Sequence, residues 1–253
     1  MEWEAQATQN PKVGPVLAKK YVLIRYDSSG PLAKEIRDKY KIGRNSIALV
    51  TPEGDVLARL LNEPSADDVF SAVDGLTDFR NGMEQFAKLK EKGITKANAD
   101  AAAAALKRIG ALASEEARET ILPYAKDDKA PEAVQRSAIL ALGKHPAAAS
   151  DIVPYLTDKR YPIKSAAQTA VTAMGLKALP ALLNGLASEN VEMRVACFGP
   201  AMTATKNAKL SKDLALWKTG KEEARSKALS EWQKWYDDAE KAKGEARASK
   251  AKK

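Results

Sequence analysis

The chain has 253 residues, of which 45% are hydrophobic and 29% charged, so it can bury a sizeable core and is not disordered throughout. Its net charge is +8. Its single cysteine excludes an internal disulfide, a CxxC redox pair and a thiolate zinc cluster, and its single histidine argues against a histidine-based metal site. No apolar run approaches the ~18 residues that a membrane-spanning helix needs, and the polar first twenty residues contain no visible signal peptide.

Residues 1–76 predict a small α/β unit that begins with a helix. Short β-branched and aromatic runs mark three strands, and turn-forming residues separate these strands from helices. The turn PEGD joins the last two strands, which are therefore predicted to pair as a hairpin. After the first helix, the predicted elements are a strand over 21–27, a helix after Pro31, and strands over 46–51 and 56–61. A helix capped by Ser65 follows, and it carries Val69, Ala72, Val73 and Leu76 on one face.

This order of elements resembles the thioredoxin-like fold from its first helix onward. Two stretches of the chain match the spacing that is found in one branch of that family. The resemblance implies a partial thioredoxin-like domain over residues 1–78. The matching positions are Val13, Val16, Leu17, Tyr21, Val22, Ile24 and Asp27 in the first stretch, and residues 40–47 and 51–60 in the second.

The departures from the thioredoxin-like pattern concern its redox chemistry. The family's cis-proline would fall near Asn45 or Ser46, and neither residue is proline. The family's CxxC motif and a central strand would lie just before Met1. Because thiol–disulfide exchange needs an attacking thiolate and a partner sulfur, the chain as it stands is expected to be redox-inactive. Three alternatives account for the position of the missing central strand. The neighbouring strands pair directly, another polypeptide provides the strand, or the strand belongs to a longer native chain.

Alanine-rich helical stretches alternate with turns from Lys96 onward and repeat every 30 residues or so. The segments ILPYAKD at 121–127 and IVPYLTD at 152–158 align closely, and a looser third copy lies at 178–183. Each copy carries a proline, which is predicted to lie early in the second helix of its pair. A basic residue after each copy is predicted to open the next helix. These repeat-defining residues are Pro123, Arg136, Pro154, Lys164, Pro180 and Arg194.

Helix pairs with a period near 30 residues are typical of solenoids. The succession of proline, acidic turn, basic residue and alanine-rich helix resembles HEAT repeats of the short, bacterial kind. The resemblance implies an α-solenoid over residues 97–205, in which the acidic turns and the following Arg or Lys interact along the stack. Since one repeat cannot bury its own face, three clear units and a degenerate fourth are expected to stack into one core.

The C-terminal segment, 206–253, combines tryptophans with basic charge. Trp232 and Trp235 share a helix face, and together with Trp217 their pattern resembles a C-terminal module of HEAT-like arrays in some bacteria, notably planctomycetes. We interpret the three tryptophans as a structural cap over the last repeat, because an open-ended solenoid requires one. The alternative is an aromatic and basic stacking surface for single-stranded nucleic acid. The cap interpretation predicts that the rings are buried near Val195, Phe198 and Met202.

No residue pattern predicts a catalytic, cofactor or metal site. The sequence has no GxxxxGK[ST], GxGxxG, HExxH or GxSxG motif. Cys197 lies on one face of a predicted repeat helix, which favours burial as a small apolar side chain over nucleophilic chemistry. His145 precedes a proline in a predicted helix–helix turn without ligating residues beside it, so we interpret it as structural.

The predicted fold is mixed and α-dominated, with three strands and at least seven helices beyond residue 80. The leading functional interpretation is a non-catalytic scaffold that binds another protein. The alternatives are a thiol–disulfide oxidoreductase whose CxxC is encoded upstream of Met1 and, third, nucleic-acid binding through the basic C-terminal region. The cellular location stays open, and a longer native N-terminus would allow an extracytoplasmic one. The predicted segments are 1–78 for the thioredoxin-like domain, 79–96 for a linking helix, 97–205 for the repeats, 206–243 for capping helices and 244–253 for a disordered basic tail.

Overall fold

A computed structural model describes residues 32–42, 46–50, 56–60, 66–206, 210 and 213–250. Helices dominate these residues, as the sequence predicts, and the strands among them form one two-stranded sheet. The predicted strand at 21–27 lies outside the described residues, as do Asn45 and Ser65. The chain divides into two compact units, Met1–Pro123 and Tyr124–Lys253.

The described part of the first unit combines one hairpin with four helices. Its strands pair antiparallel as predicted, with Ile47 opposite Leu60, and the register shifts between Leu49 and Val50. The elements are α1 (Ala33–Tyr40), β1 (Ile47–Val50), β2 (Val56–Leu60), α2 (Ala66–Glu91), α3 (Ala99–Ile109) and α4 (Glu115–Ala125), the last of which crosses the unit boundary.

A single helix, α2, takes the place of the two helices that the sequence predicts on either side of residue 78. Leu76, Phe79 and Phe86 are all buried at helical spacing across the predicted break, so one apolar face continues through it. On the same helix, Gly82 allows a close approach to α3, because a Cβ there would lie 2.9 Å from the Cβ of Arg108. The prediction of a separate linking helix over 79–96 is therefore corrected: its first part belongs to α2.

The hairpin forms hydrogen bonds to α4, and the first unit extends beyond the predicted domain end at residue 78 to include most of that helix. The backbone N–H of Arg59 donates to Glu116 Oε2 at 2.8 Å, and its guanidinium Nε donates to Oε1 of the same carboxylate. At the start of α4, the Ser114 hydroxyl accepts the N–H of Ala117 at 3.2 Å. The boundary between the two units consequently falls inside the segment predicted as one array, 97–205.

The second unit has a helical, repeat-like architecture. Three helices that begin at residues 132, 161 and 191 pack side by side, which matches the predicted period near 30 residues, and shorter helical segments pack against them. The helices are α5 (Glu132–Ala141), α6 (Ala149–Ile152, continued by a 3₁₀ segment, Val153–Thr157), α7 (Tyr161–Met174), α8 (Leu179–Leu186), α9 (Val191–Thr205), α10 (Leu214–Thr219) and α11 (Glu222–Lys250). Among the described residues, nine α-helices begin beyond residue 80, more than the predicted minimum of seven.

The last helix differs from the prediction at its C-terminal end. α11 continues to Lys250, into the segment 244–253 for which the sequence predicts disorder. The residues involved are mostly Ala, Glu, Lys and Arg, which have high intrinsic helix propensity, so the helix can extend without burying an apolar face.

In the part of the chain that the structure describes, no helix is long and apolar enough to cross a membrane.

Candidate functional site

Charged side chains connect two successive turns of the second unit. Arg160, in the turn before α7, binds Asp158 of its own turn at 2.7 Å and Asp128 of the preceding turn at 3.2 Å. Hydrogen bonding to Asp158 raises the pKa of the Arg160 guanidinium, and the same contact lowers the pKa of Asp158. Since such partly exposed pairs contribute only ~0.2–1 kcal/mol each, their main effect is to order the turns.

The side chain of α5 that contacts the acidic turn before it is Gln135, whereas the sequence predicts this contact for Arg136. Gln135 Nε2 donates to the Ala125 carbonyl and to Asp128 Oδ1, both at 3.1 Å. Arg136 is exposed because the buried face of α5 passes one residue before it, through Val134 and Gln135. The second predicted basic residue, Lys164, is half-buried on α7.

Of the three predicted basic residues, Arg194 alone is buried, and its partners are backbone carbonyls. Nε donates to Trp217 O at 2.8 Å, and Nη1 donates to Ser188 O at 2.8 Å and Glu189 O at 2.7 Å. These carbonyls lie at or just beyond the C-terminal ends of α8 and α10, where helix dipoles favour a cation. Burial, and then repulsion from Arg225, lowers the pKa of Arg194, but a guanidinium still carries its charge at neutral pH. Arg194 thus ties α9 to the ends of two other helices.

The three predicted prolines occupy two kinds of position. Pro154 and Pro180 are each the second residue of their segments, Val153–Thr157 and Leu179–Leu186, and so lie early in them as predicted, where the missing N–H costs little. Pro123 instead lies inside α4, close to its C-terminal end. The prediction for Pro123 is corrected because α4 begins at Glu115, well before the proline.

Three aromatic rings from three helices form a cluster, of which Phe198 is half-buried. Trp217 and Trp232 are edge-to-face at 82°, with centroids 6.3 Å apart, and Phe198 lies 6.4 Å and 6.5 Å from them. Both tryptophans are fully buried, whereas Trp235 is half-buried. A stacking platform for bases needs exposed ring faces. Trp217 and Trp232 therefore offer no exposed ring face for base stacking.

Two large side chains are exposed at the first residues of helices in the second unit. Tyr161, the first residue of α7, is 78% exposed, and Val191, the first residue of α9, is 45% exposed. Tyr155 lies half-buried nearby, and its pKa is raised by burial and then by Asp128. We call this surface the turn edge; its residues are Asp128, Tyr155, Asp158, Arg160 and Tyr161.

The lone cysteine is part of the core between α8 and α9. A Cβ at Gly185 would lie 2.2 Å from Cys197 Sγ, so the two helices approach at a distance that glycine alone permits. Burial raises the pKa of Cys197 to about 12, which leaves the thiol protonated at neutral pH. His145 is buried between two 3₁₀ turns. Within the described ranges, no group of three or more His, Cys, Asp or Glu residues could hold a metal ion.

We expect Cys197 in the folded chain to react with iodoacetamide at neutral pH roughly three orders of magnitude more slowly than in the denatured chain. The reason is that the thiolate is the reacting species, and a pKa of about 12 removes it from the folded state. A mass-spectrometric time course with and without guanidinium chloride measures this ratio. Equal rates in both solutions would contradict the burial of the thiol.

No protein-family model, no curated protein and no solved structure matches this chain.

Proposed function

We propose that the chain is a non-catalytic protein-interaction scaffold. In this proposal a HEAT-like helical array with a tryptophan cap presents the turn edge to another protein, and the N-terminal segment is a redox-inactive thioredoxin-like domain. The observation that carries the proposal is the 78% exposure of Tyr161 beside the ion pair of Arg160 and Asp158. A tyrosine that the fold leaves uncovered is a frequent anchor of protein interfaces.

The composition of the turn edge supports a protein partner. Interface cores are enriched in Tyr and Arg and are surrounded by a polar rim. Here Tyr161 provides apolar area, while Arg160 and Asp128 provide charges of both signs. Because hydrogen bonds and ion pairs already order the turns, binding would cost less conformational entropy than at a loose loop.

The other two interpretations draw less support from the described residues. For nucleic-acid binding, Trp217 and Trp232 offer no exposed faces, and basic side chains of α11 are interspersed with acidic ones, as in the Lys243–Glu240 pair at 2.7 Å. Dithiol chemistry requires a CxxC motif upstream of Met1, because Cys197 is buried and its thiol is protonated at neutral pH. The buried rings and the mixed charge of α11 favour the scaffold over nucleic-acid binding.

Photo-crosslinking tests the proposal directly. Tyr161 is replaced by benzoylphenylalanine in one variant, and Gln168, exposed on the same helix, is replaced in a matched control. We expect a protein to be captured through position 161 and not through position 168. With that protein purified, Tyr161→Ala should weaken its binding about thirtyfold or more, as for an interface hot spot, and should leave the melting temperature nearly unchanged. Equal capture at both positions, or unchanged affinity, would rule out the turn edge as the binding surface.

A further inference from the structure

The outer edge of β2 is occupied by a side chain. In an antiparallel pair, the backbone N–H groups of each strand point alternately toward the partner strand and away from it. Arg59 lies opposite Ala48 of β1, yet its N–H donates to Glu116 Oε2 at 2.8 Å. This N–H therefore points away from β1. The Glu116 carboxylate lies where the backbone carbonyl of a further strand would otherwise accept that bond.

The carboxylate is held in place from two sides. The Arg59 guanidinium binds its second oxygen, so one residue contacts the Glu116 carboxylate with both backbone and side chain. The Arg59 and Glu116 side chains are only 14% and 18% exposed, which limits the competition from water. Glu116 also lies in the first turn of α4, where the helix dipole favours a negative charge. A charge-assisted, partly buried contact of this kind costs more to break than an ordinary surface hydrogen bond.

An unoccupied strand edge is a template for pairing with another chain, and natural proteins block such edges with charged side chains. Identical chains present identical edges, and two of these can pair antiparallel about a two-fold axis. We propose that Glu116 is an edge cap, which prevents the outer edge of β2 from pairing with β2 of a second copy of this chain. Arg59 is the positioning residue of this cap, since it orients the carboxylate over its own N–H.

Sedimentation velocity over a range of protein concentrations tests the edge cap with three variants of the full chain. Glu116→Ala removes both the acceptor and the charge. Glu116→Gln keeps an oxygen acceptor for the Arg59 N–H. Glu119→Ala is the matched control. A carboxylate oxygen of Glu119 lies 3.5 Å from Arg59 Nη2, on the same helix as Glu116, and its removal leaves the bond between the Arg59 N–H and Glu116 unchanged.

We expect Glu116→Ala to form dimers and larger species whose fraction rises with concentration, while Glu116→Gln and Glu119→Ala sediment as the parent does. A folded Glu116→Ala chain that sediments as the parent at every concentration would overturn the proposal. Self-association of Glu119→Ala to the same extent would also overturn it, since general loss of charge would then be the cause.

Amide hydrogen exchange of the parent chain provides a test that needs no variant to fold. The Arg59 N–H is expected to exchange roughly ten to a hundred times more slowly than an unstructured amide, because a bond to a carboxylate protects it. An Arg59 amide that exchanges at the unstructured rate would overturn the proposal, whatever the behaviour of the variants.

Discussion

Replacing Trp232 with alanine is expected to lower the free energy of unfolding by about 3–5 kcal/mol. The indole is fully buried and packs against Trp217 and Phe198, so its removal leaves a cavity that three helices border. Because a domain is stable by only about 5–15 kcal/mol, the midpoint of urea unfolding should fall sharply.

Trp235→Ala is the matched control for this measurement. Trp235 lies one turn further along α11 and is half-buried, so we expect Trp235→Ala to lower the free energy of unfolding roughly half as much as Trp232→Ala does. The sequence alone assigns the two tryptophans the same role because they share a helix face. If Trp232→Ala melts as the parent does but loses binding to single-stranded DNA, the cap assignment is wrong and the nucleic-acid interpretation becomes the stronger one.

Features that depend on local periodicity could be predicted from the sequence. The hairpin, the helices of the second unit and their period near 30 residues all follow from the spacing of apolar residues and from turn chemistry. Burial of Cys197 follows in the same way from its position on an apolar helix face. Such signals need only a few neighbouring residues.

Features that depend on the phase of a helix or on distant residues could not be predicted. The choice between Gln135 and Arg136 is a matter of one residue in helix phase, and both side chains are long and polar. The pair of Arg59 and Glu116 joins residues that are 57 positions apart, and no local pattern links them. The continuity of α2 through residue 78 is likewise decided by packing against α3, since Thr77 and Asp78 are neutral-to-poor helix formers.

The candidate interaction surface shows the same limit. Tyr161 follows a charged turn, and its place at the first position of α7 is consistent with either burial or exposure until the neighbouring helices are placed. The sequence predicts the acidic turns and a basic residue that opens each following helix, but it singles out neither Arg160 nor Tyr161. Exposure is a property of the packed structure and has no sequence signature of its own.

Replacing Arg194 with alanine is the second change with a large expected effect, a loss of about 2–4 kcal/mol in the free energy of unfolding. The guanidinium is the donor for three carbonyls at the ends of α8 and α10, and alanine would leave them without it in a largely buried place. Arg194→Lys should recover only part of this loss, because one ammonium group cannot reproduce the planar arrangement of donors.

Arg136→Ala is the matched control, since the sequence assigns Arg136 the same role and the structure leaves it exposed. We expect it to change the free energy of unfolding by less than about 0.5 kcal/mol. Urea titrations at low and high salt then separate a buried contact from a surface one. The cost of Arg194→Ala should persist at high salt, because its partners are buried carbonyls, whereas the contribution of a surface pair such as Arg160–Asp128 should be screened. Equal costs for Arg136→Ala and Arg194→Ala would show that Arg194 does not hold the ends of α8 and α10 together.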